Sequence, residues 1–198
     1  MILPRSFYEG DSREVARNLL GQVLVRESEE GIAAGIIVET EAYLGKKDDA
    51  AHSYKGATER VRVLFGEKGA AYIYLIYGIY HCLNIASGPA GEPECVLIRA
   101  LEPVEGLELM ARRRGTEKVR DLCRGPGRLC QALAIGRSLY GADVTKPGPL
   151  YIREGRRPEK ILATPRIGIE YAFHAKDEPW RYIVSGSPFV SGPKSRNG

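Results

Sequence analysis

The run GIAAGIIVETEAY at residues 31–43 constrains the fold most, because it predicts one long strand in which apolar residues lead into charged ones. Alternate side chains of an extended chain point the same way, so Glu39, Glu41 and Tyr43 are expected to share one face. Two carboxylates that follow a buried strand are costly unless they are solvated, paired or used in chemistry. A lone Glu-Thr-Glu pattern is also typical of a solvated sheet edge, so the rest of the chain decides between these interpretations.

The remaining pattern predicts an α+β fold with a strand-rich core. Asp11 followed by Glu14 indicates a capping box that begins a helix through about Leu20. Further strands are expected at residues 22–28, 71–77, 79–87, 94–103, 149–153, 166–171 and 181–186. Further helices are expected at residues 104–114 and, after the Gly-Pro-Gly turn, at residues 128–135.

No internal repeat or linker divides the chain, so residues 1–198 are expected to form one domain, and this length is sufficient to bury a core. The polar and basic residues 54–69 lack a clear period and predict a surface loop. Residues 192–198, rich in small and charged side chains, are expected to be a frayed tail.

The first residues carry charges at Arg5, Glu9 and Asp11 and include no apolar core of a signal peptide. No run approaches the roughly 18 apolar residues that a membrane span needs. We therefore expect a cytoplasmic protein without a membrane partner, associated with the nucleoid in a prokaryote.

The chain is mildly basic, with a formal net charge of +4, and arginines outnumber lysines by 20 to 9. Arginine forks match phosphate oxygens well, so a polyanionic partner is one interpretation. Genome bias or adaptation to heat produces the same composition, and the charge alone does not choose between them. The four cysteines form no Cys-x-x-Cys pair, which favours reduced, packed thiols and argues against zinc.

A second group of polar side chains lies in residues 71–87. Tyr72 and Tyr74 share a strand face by parity, whereas Tyr77 precedes Gly78 and is expected at a protruding tip. Asn84 lies among apolar residues, where a buried amide needs partners or a ligand. Tyrosines in strands often only pack at the surface. Together with the carboxylates, however, they describe a pocket for a flat heterocycle such as a flipped nucleotide base.

Several segments in this order resemble the alkyladenine, or 3-methyladenine, DNA glycosylase family over roughly residues 5–191. They are VETEAYLG (38–45), AAHS (50–53), YIYLIYGIYHCLNI (72–85), CVLIRALEP (95–103), GPGRLCQAL (125–133) and GSPFVS (186–191). The chain resembles the compact bacterial or archaeal type, because it lacks the long N-terminal arm of vertebrate members. The resemblance implies a single mixed domain around a curved antiparallel sheet with flanking helices.

The resemblance also implies roles for individual residues. Glu41 matches the general base that activates the water attacking C1′, and Arg99 matches a residue near that water and the DNA backbone. Tyr43, His52 and Tyr74 match the side chains that enclose the flipped base.

At the edges of the site, Tyr77 matches the residue inserted where the nucleotide leaves the helix, and Asn84 matches a residue that disfavours the 2-amino group of guanine. Thr58, Arg60 and Arg62 are similar to positions that face the DNA. Val61 replaces a polar residue of the family between them.

The implied activity is that of a monofunctional glycosylase of base excision repair, without a lyase step, cofactor, metal or obligate protein partner. Its expected partner is double-stranded DNA containing alkylated or deaminated purines such as 3-methyladenine, 7-methylguanine, hypoxanthine and ethenoadenine. The faces of Tyr43 and Tyr74 are expected to favour an electron-poor purine by cation–π stacking worth ~1–2 kcal/mol. His52 is expected either to assist the leaving base or to shape the pocket.

Two other classes fit parts of the sequence. A non-catalytic nucleic-acid-binding β domain, similar to the C-terminal domain of formyltransferases, would use the tyrosines to stack bases. A metal-dependent hydrolase would use carboxylates and one histidine as ligands, and would be inhibited by chelators. Its candidate ligands are Glu39, Glu41, Asp48, Asp49 and His52.

Overall fold

The long strand β2 (Gly31–Tyr43) lies at the centre of the fold in the computed structural model, which describes residues 1–192. Along one edge β2 pairs with β5 (Glu94–Glu105). Along the other edge it pairs first with β1 (Val23–Ser28) and then with β8 (Arg181–Val184). Because β2 is bordered on both sides, its second half and the carboxylates in it are buried.

The strands form one curled antiparallel sheet, completed by β3 (Ala71–Ile76), β4 (Tyr80–Ser87), β6 (Leu150–Arg153) and β7 (Ile161–Thr164). The main order is β3-β4-β5-β2-β1-β6, while β7 pairs with β8 beside the second half of β2. All of these pairings are antiparallel. The predicted α+β class and the curved antiparallel sheet are confirmed.

Within residues 1–192, four helices flank the sheet: α1 (Ser12–Leu19), α2 (Leu107–Arg114), α3 (Val119–Leu122) and α4 (Pro126–Ala132). Of the predicted capping box the structure shows the Asp11 half, whose side chain accepts a hydrogen bond from the backbone N–H of Arg13 at 2.8 Å. Short 3₁₀ helices cover Arg5–Tyr8, Gly45–Lys47, Glu59–Phe65 and Arg137–Leu139.

The core lies between one face of the sheet and the helices. Thr40 and Ala42 of β2 point into it, and the Thr40 hydroxyl donates to the carbonyl of Ala16 in α1 at 2.8 Å. The opposite face of the same strand therefore carries the carboxylates, as the alternation predicts.

The boundary between β5 and α2 differs from the prediction. The strand continues past Pro103 to Glu105, because Pro103 pairs with Gly35 next to a register shift in β2. The helix then begins at Leu107, after Gly106 with φ 72°. A Cβ at Gly106 would lie 2.2 Å from the carbonyl oxygen of Ile32, so the chain needs glycine for this close approach.

Several local expectations differ from the structure. Residues 166–171 are not a strand, whereas β7 at Ile161–Thr164 and the short helix α3 were not predicted. Within the predicted surface loop, Glu59–Phe65 form a 3₁₀ helix that buries Val61 and Leu64 against Tyr72. Val61 is therefore a core residue, which explains the apolar side chain at that position.

The four cysteines are free and buried, in agreement with the predicted packed thiols. Among residues 1–192, no helix is long and apolar enough to cross a membrane. The predicted frayed tail lies outside the described residues, apart from Gly192.

The glycines that border α2 allow a matched test of this close approach. Gly106 and Gly115 both have positive φ, but only a Cβ at Gly106 would meet neighbouring atoms. Gly115→Ala should lower the free energy of unfolding by ~1–2 kcal/mol, the cost of a left-handed alanine. Gly106→Ala should lose a further ~1–3 kcal/mol through overpacking. Urea denaturation measures the free energy of unfolding of both variants. Equal losses would show that the close approach to Ile32 adds no cost beyond that of the positive φ.

Candidate active site

A β-bulge brings the two carboxylates and an arginine together. The register of β2 against β5 passes from Glu39↔Ala100 to Thr40↔Ile98, which leaves Arg99 as the extra residue of β5. Bulges re-aim side chains in this way, often beside active sites. From here the Arg99 guanidinium reaches Glu39 at 2.8 Å and Glu41 at 3.3 Å. The guanidinium therefore lies against both carboxylates and offsets their negative charge.

Glu39 is entirely enclosed by donors. Its carboxylate accepts from Arg99 and from Arg181 of β8, at 2.8 and 2.7 Å. It also accepts from the backbone N–H and the hydroxyl of Ser191, at 2.6 and 3.0 Å. Glu39 is fully buried, and these contacts fit a structural role.

Glu41 is also fully buried, yet the three residues that contact it also line a cavity. One carboxylate oxygen accepts from the backbone N–H of Ile167 at 2.8 Å and lies 3.3 Å from Arg99. The other accepts from the Tyr43 hydroxyl at 2.8 Å. Burial of Tyr43, with the nearby charge of Glu41, raises the pKa of this phenol well above its ordinary value, so it stays a donor.

Arg166 packs against Tyr43 and pairs with Asp48. Its side chain is fully buried and forms a two-point ion pair with Asp48, at 2.6 and 2.9 Å. The guanidinium lies 4.6 Å from the centroid of the Tyr43 ring and 5.0 Å from that of Trp180. Burial alone would lower the pKa of Arg166, but the Asp48 carboxylate outweighs it and raises that pKa. The Arg166–Asp48 pair therefore holds the ring of Tyr43 in place. It also positions the next residue, Ile167, so that its N–H reaches Glu41.

The two aspartates of the turn after β2 have different partners. Asp48 accepts from the backbone N–H groups of Leu44 and Ala50 in addition to Arg166. Asp49 accepts from three consecutive N–H groups, those of Phe173, His174 and Ala175, at 2.7 to 3.1 Å. Both aspartates thus tie the turn that carries His52 to the loop after residue 166.

A cavity of about 590 Å³ opens beside Glu41. Seven of the ten residues predicted for the site line it, namely Tyr43, His52, Arg60, Tyr74, Tyr77, Asn84 and Arg99. Glu41 lies directly behind the wall, since Tyr43, Arg99 and Ile167 line the cavity and contact it. Thr58 and Arg62 are exposed and lie outside the lining.

One wall of the cavity is aromatic. The ring of His52 lies edge-on to Tyr74, with centroids 4.6 Å apart, and its Nδ1 is 2.9 Å from the Tyr72 hydroxyl. Tyr72 and Tyr74 lie 5.5 Å apart on the shared face that parity predicts. Burial and the charge of Arg60 lower the pKa of His52 to about 4, so the imidazole is neutral at neutral pH.

The floor of the cavity contains the buried amide of Asn84. Its nitrogen donates to the carbonyl of Tyr72 at 3.3 Å, and its oxygen lies 3.8 Å from the sulfur of Cys95. These contacts fix the orientation of the amide and satisfy the requirement that a buried polar group has partners.

The β3–β4 hairpin forms the lip of the cavity. Tyr77 and Gly78 both have positive φ, 53° and 69°, and Ile76 accepts from the N–H of Ile79 at 3.2 Å. This is the pattern of a type I′ hairpin turn, which favours glycine or asparagine over tyrosine. Tyr77 is 84% exposed at the tip, as predicted, and Ile79 beside it is 70% exposed. A strained, exposed aromatic side chain indicates a function at this tip.

Sequence reasoning missed the contribution of residues 166–171. Ile167, Gly168, Ile169 and Tyr171 line the cavity, and the Tyr171 hydroxyl donates to the carbonyl of Ala50 at 3.0 Å. Their apolar alternation resembles a strand, and the only sequence signal for a loop was Gly168, whose φ is 77°. Tyr72 was recognised as sharing a face with Tyr74, but not as part of the site.

The comparisons with known proteins agree on one family. The family model described as methylpurine-DNA glycosylase (MPG) matches residues 6–188. Relatives from Methanocella arvoryzae and Bacillus licheniformis are each 50% identical over 191 and 190 residues, which is 96% of both chains. A relative from Clostridium tetani is 46% identical over 201 residues, 96% of this chain and 99% of its own. All three are named "Putative 3-methyladenine DNA glycosylase".

The curled α+β fold is consistent with the fold of that family, and it places an aromatic-lined cavity beside a buried carboxylate. The chain belongs to the methylpurine-DNA glycosylase family. It is therefore a DNA glycosylase, a hydrolase of N-glycosyl bonds, and DNA is its partner. This confirms the resemblance of the sequence segments and favours an enzyme over the non-catalytic alternative.

The buried pair behind Tyr43 has a measurable energetic role. Asp48→Asn leaves the Arg166 guanidinium buried without a counter-charge, so we expect the free energy of unfolding to fall by about 3–5 kcal/mol. Glu59→Gln breaks the exposed pair with Arg62 and should cost less than ~1 kcal/mol. Urea denaturation of both variants measures these losses, and similar values would contradict a special role for the buried pair.

Proposed function

We propose that this protein removes damaged purines from double-stranded DNA by hydrolysis, with Glu41 as the base that activates water. The observation that carries the proposal is the position of Glu41. It is a buried carboxylate one hydrogen bond behind the wall of an aromatic cavity, and Arg99, Tyr43 and Ile167 hold it. Residues 1–198 are proposed as one glycosylase domain.

The cavity suits a flipped purine. Tyr43, His52 and Tyr74 all line it, so a flat base can lie against aromatic surfaces. Alkylated and deaminated purines unpair more easily than normal bases, which selects for them before they reach the pocket. Asn84, with its amide fixed by Tyr72, is proposed to exclude the 2-amino group of normal guanine.

Glu41 has an acceptor position without a donor among residues 1–192, and the attacking water is proposed to bind there once the side chains of the wall shift, because Glu41 is fully buried. A carboxylate offers about four acceptor positions, and only Ile167, Arg99 and Tyr43 contact this one among residues 1–192. Loss of the base gives the sugar oxocarbenium character, which a nearby carboxylate stabilises while it accepts a proton from water. Arg99 places a positive charge beside Glu41; burial alone would lower the pKa of Arg99, but the two carboxylates raise it, so this charge is retained.

His52 is proposed to shape the pocket rather than to protonate the leaving base. Its lowered pKa leaves the ring uncharged at neutral pH, and the Tyr72 hydroxyl engages Nδ1. The exposed tip of the hairpin is proposed to fill the space that the nucleotide leaves, with Tyr77 inserted into the base stack.

A lyase step would need an amine at the sugar. The lining of the cavity, as far as residues 1–192 define it, includes no lysine. Lys68 is buried elsewhere, and its ammonium lies 3.5 Å from the carbonyl of Leu64. We therefore propose a monofunctional enzyme that leaves an intact abasic site.

Base release from a hypoxanthine-containing duplex tests this proposal, with EDTA present throughout. We expect release by the wild-type protein, and strand breaks only after alkali. Glu41→Gln should bind the duplex with similar affinity but excise the base at least ~100-fold more slowly, because general base catalysis is lost. The amide can accept from Ile167 and donate to the Tyr43 hydroxyl, so the fold should persist.

Control measurements separate folding and DNA binding from base excision. Thermal unfolding of Glu41→Gln shows whether it is folded, and duplex binding shows whether it still recognises DNA. Normal excision by this folded variant would exclude Glu41 as the base. Inhibition of the wild type by EDTA would favour the metal-dependent alternative, and strand breaks before alkali would contradict monofunctional cleavage.

The wedge role of Tyr77 predicts a dependence on the duplex. Tyr77→Ala should weaken binding to a lesion in a duplex by ~1–3 kcal/mol, because a base–aromatic stack is lost. Excision from a single strand should change less, since no gap has to be filled. Tyr77→Phe keeps the ring and should behave like the wild type. Equal losses on both substrates in binding and excision assays would argue against a wedge.

A further inference from the structure

Arg60 occupies an unexpected position for a residue predicted to contact DNA phosphates. Its guanidinium lies over the ring of Tyr74, 5.2 Å from the centroid, and it lines the cavity. Arg62, two residues later on the same 3₁₀ helix, points away and pairs with Glu59 at 3.4 Å. Two arginines with the same predicted role therefore face different surroundings.

The backbone holds Arg60 in this position. Its carbonyl accepts from the hydroxyl of Tyr140 at 3.1 Å, and the same hydroxyl accepts from the N–H of Val63 at 3.3 Å. The next residue of the same 3₁₀ helix, Val61, is buried in the core. The side chain thus starts from a fixed point beside the aromatic wall.

The charge of Arg60 is not balanced locally. Arg166 also lies against an aromatic ring, that of Tyr43, but Asp48 neutralises the charge of Arg166. Arg99 is balanced by Glu39 and Glu41. Within residues 1–192, the ion pair of this 3₁₀ helix joins Arg62 to Glu59, and Arg60 forms none. The lowered pKa of His52, caused by burial and by Arg60, is a further effect of this positive charge.

We propose that Arg60 determines specificity by disfavouring cationic purines relative to neutral ones in the cavity. A tyrosine face attracts a cation through its negative quadrupole, and Arg60 already occupies that interaction on Tyr74. A purine carrying a positive charge meets both a weakened quadrupole and direct repulsion, whereas a neutral purine stacks without that cost. The inference rests on the proposed function and deepens it: among damaged purines, neutral lesions such as hypoxanthine and ethenoadenine gain relative to cationic ones such as 7-methylguanine.

The test compares one cationic and one neutral lesion. Single-turnover excision of 7-methylguanine and of hypoxanthine is measured in the same duplex, below saturation, with the wild type, Arg60→Gln and Arg62→Gln. Arg60→Gln should raise the ratio of the 7-methylguanine rate to the hypoxanthine rate about five- to tenfold. Arg62→Gln removes the same charge from the same helix and should slow both lesions equally.

Salt separates a pocket effect from a phosphate contact. Interactions of exposed arginines with phosphates weaken steeply with ionic strength. Arg60 is itself exposed in the free protein, but a base seated in the cavity beside it would exclude solvent, and a charge covered in this way is screened less. The changed ratio for Arg60→Gln should therefore persist at high salt. An unchanged ratio, or equal slowing of both lesions that disappears at high salt, would overturn the inference and leave Arg60 as a phosphate contact. Absence of any base release by the wild type would instead refute the proposed function.

Discussion

The buried charge cluster around Arg99 is the interaction on which the site depends. Two carboxylates two residues apart on one strand repel each other, and burial makes each of them costly. Arg99, re-aimed by the bulge in β5, lies between them, and Arg181 adds the second positive charge. Because the charges balance, the pair remains in the interior, where Glu39 is saturated with donors and Glu41 is not. This asymmetry separates a structural carboxylate from one available for chemistry.

Local patterns were sufficient for the elements that follow simple periods. The limits of β2, the face shared by Glu39, Glu41 and Tyr43, and the exposed Tyr77 followed from alternation and from Gly78. Roles for individual residues came from the resemblance of whole segments, since parity alone does not distinguish a solvated Glu-Thr-Glu edge from an active site.

The remaining features depend on contacts between distant residues. Residues 166–171 alternate like a strand, but the N–H of Ile167 bonds to a carboxylate instead of a neighbouring strand, and the Arg166 side chain turns inward to Asp48. A partner 118 residues away decides this conformation, which no local window can show. The orientation of Arg60 toward Tyr74 likewise depends on how the 3₁₀ helix packs.

The contacts of Glu39 have a consequence for the order of events during synthesis. Its partners Arg181 and Ser191 lie 142 and 152 residues further along the chain. A ribosome delivers the N-terminal residues first, so β2 emerges long before either partner. Until they arrive, the two carboxylates share Arg99 alone, and the interior of the sheet contains excess negative charge. Arg181 therefore completes the charge balance of Glu39 and Ser191 completes its hydrogen bonds, both only after most of the chain has been made.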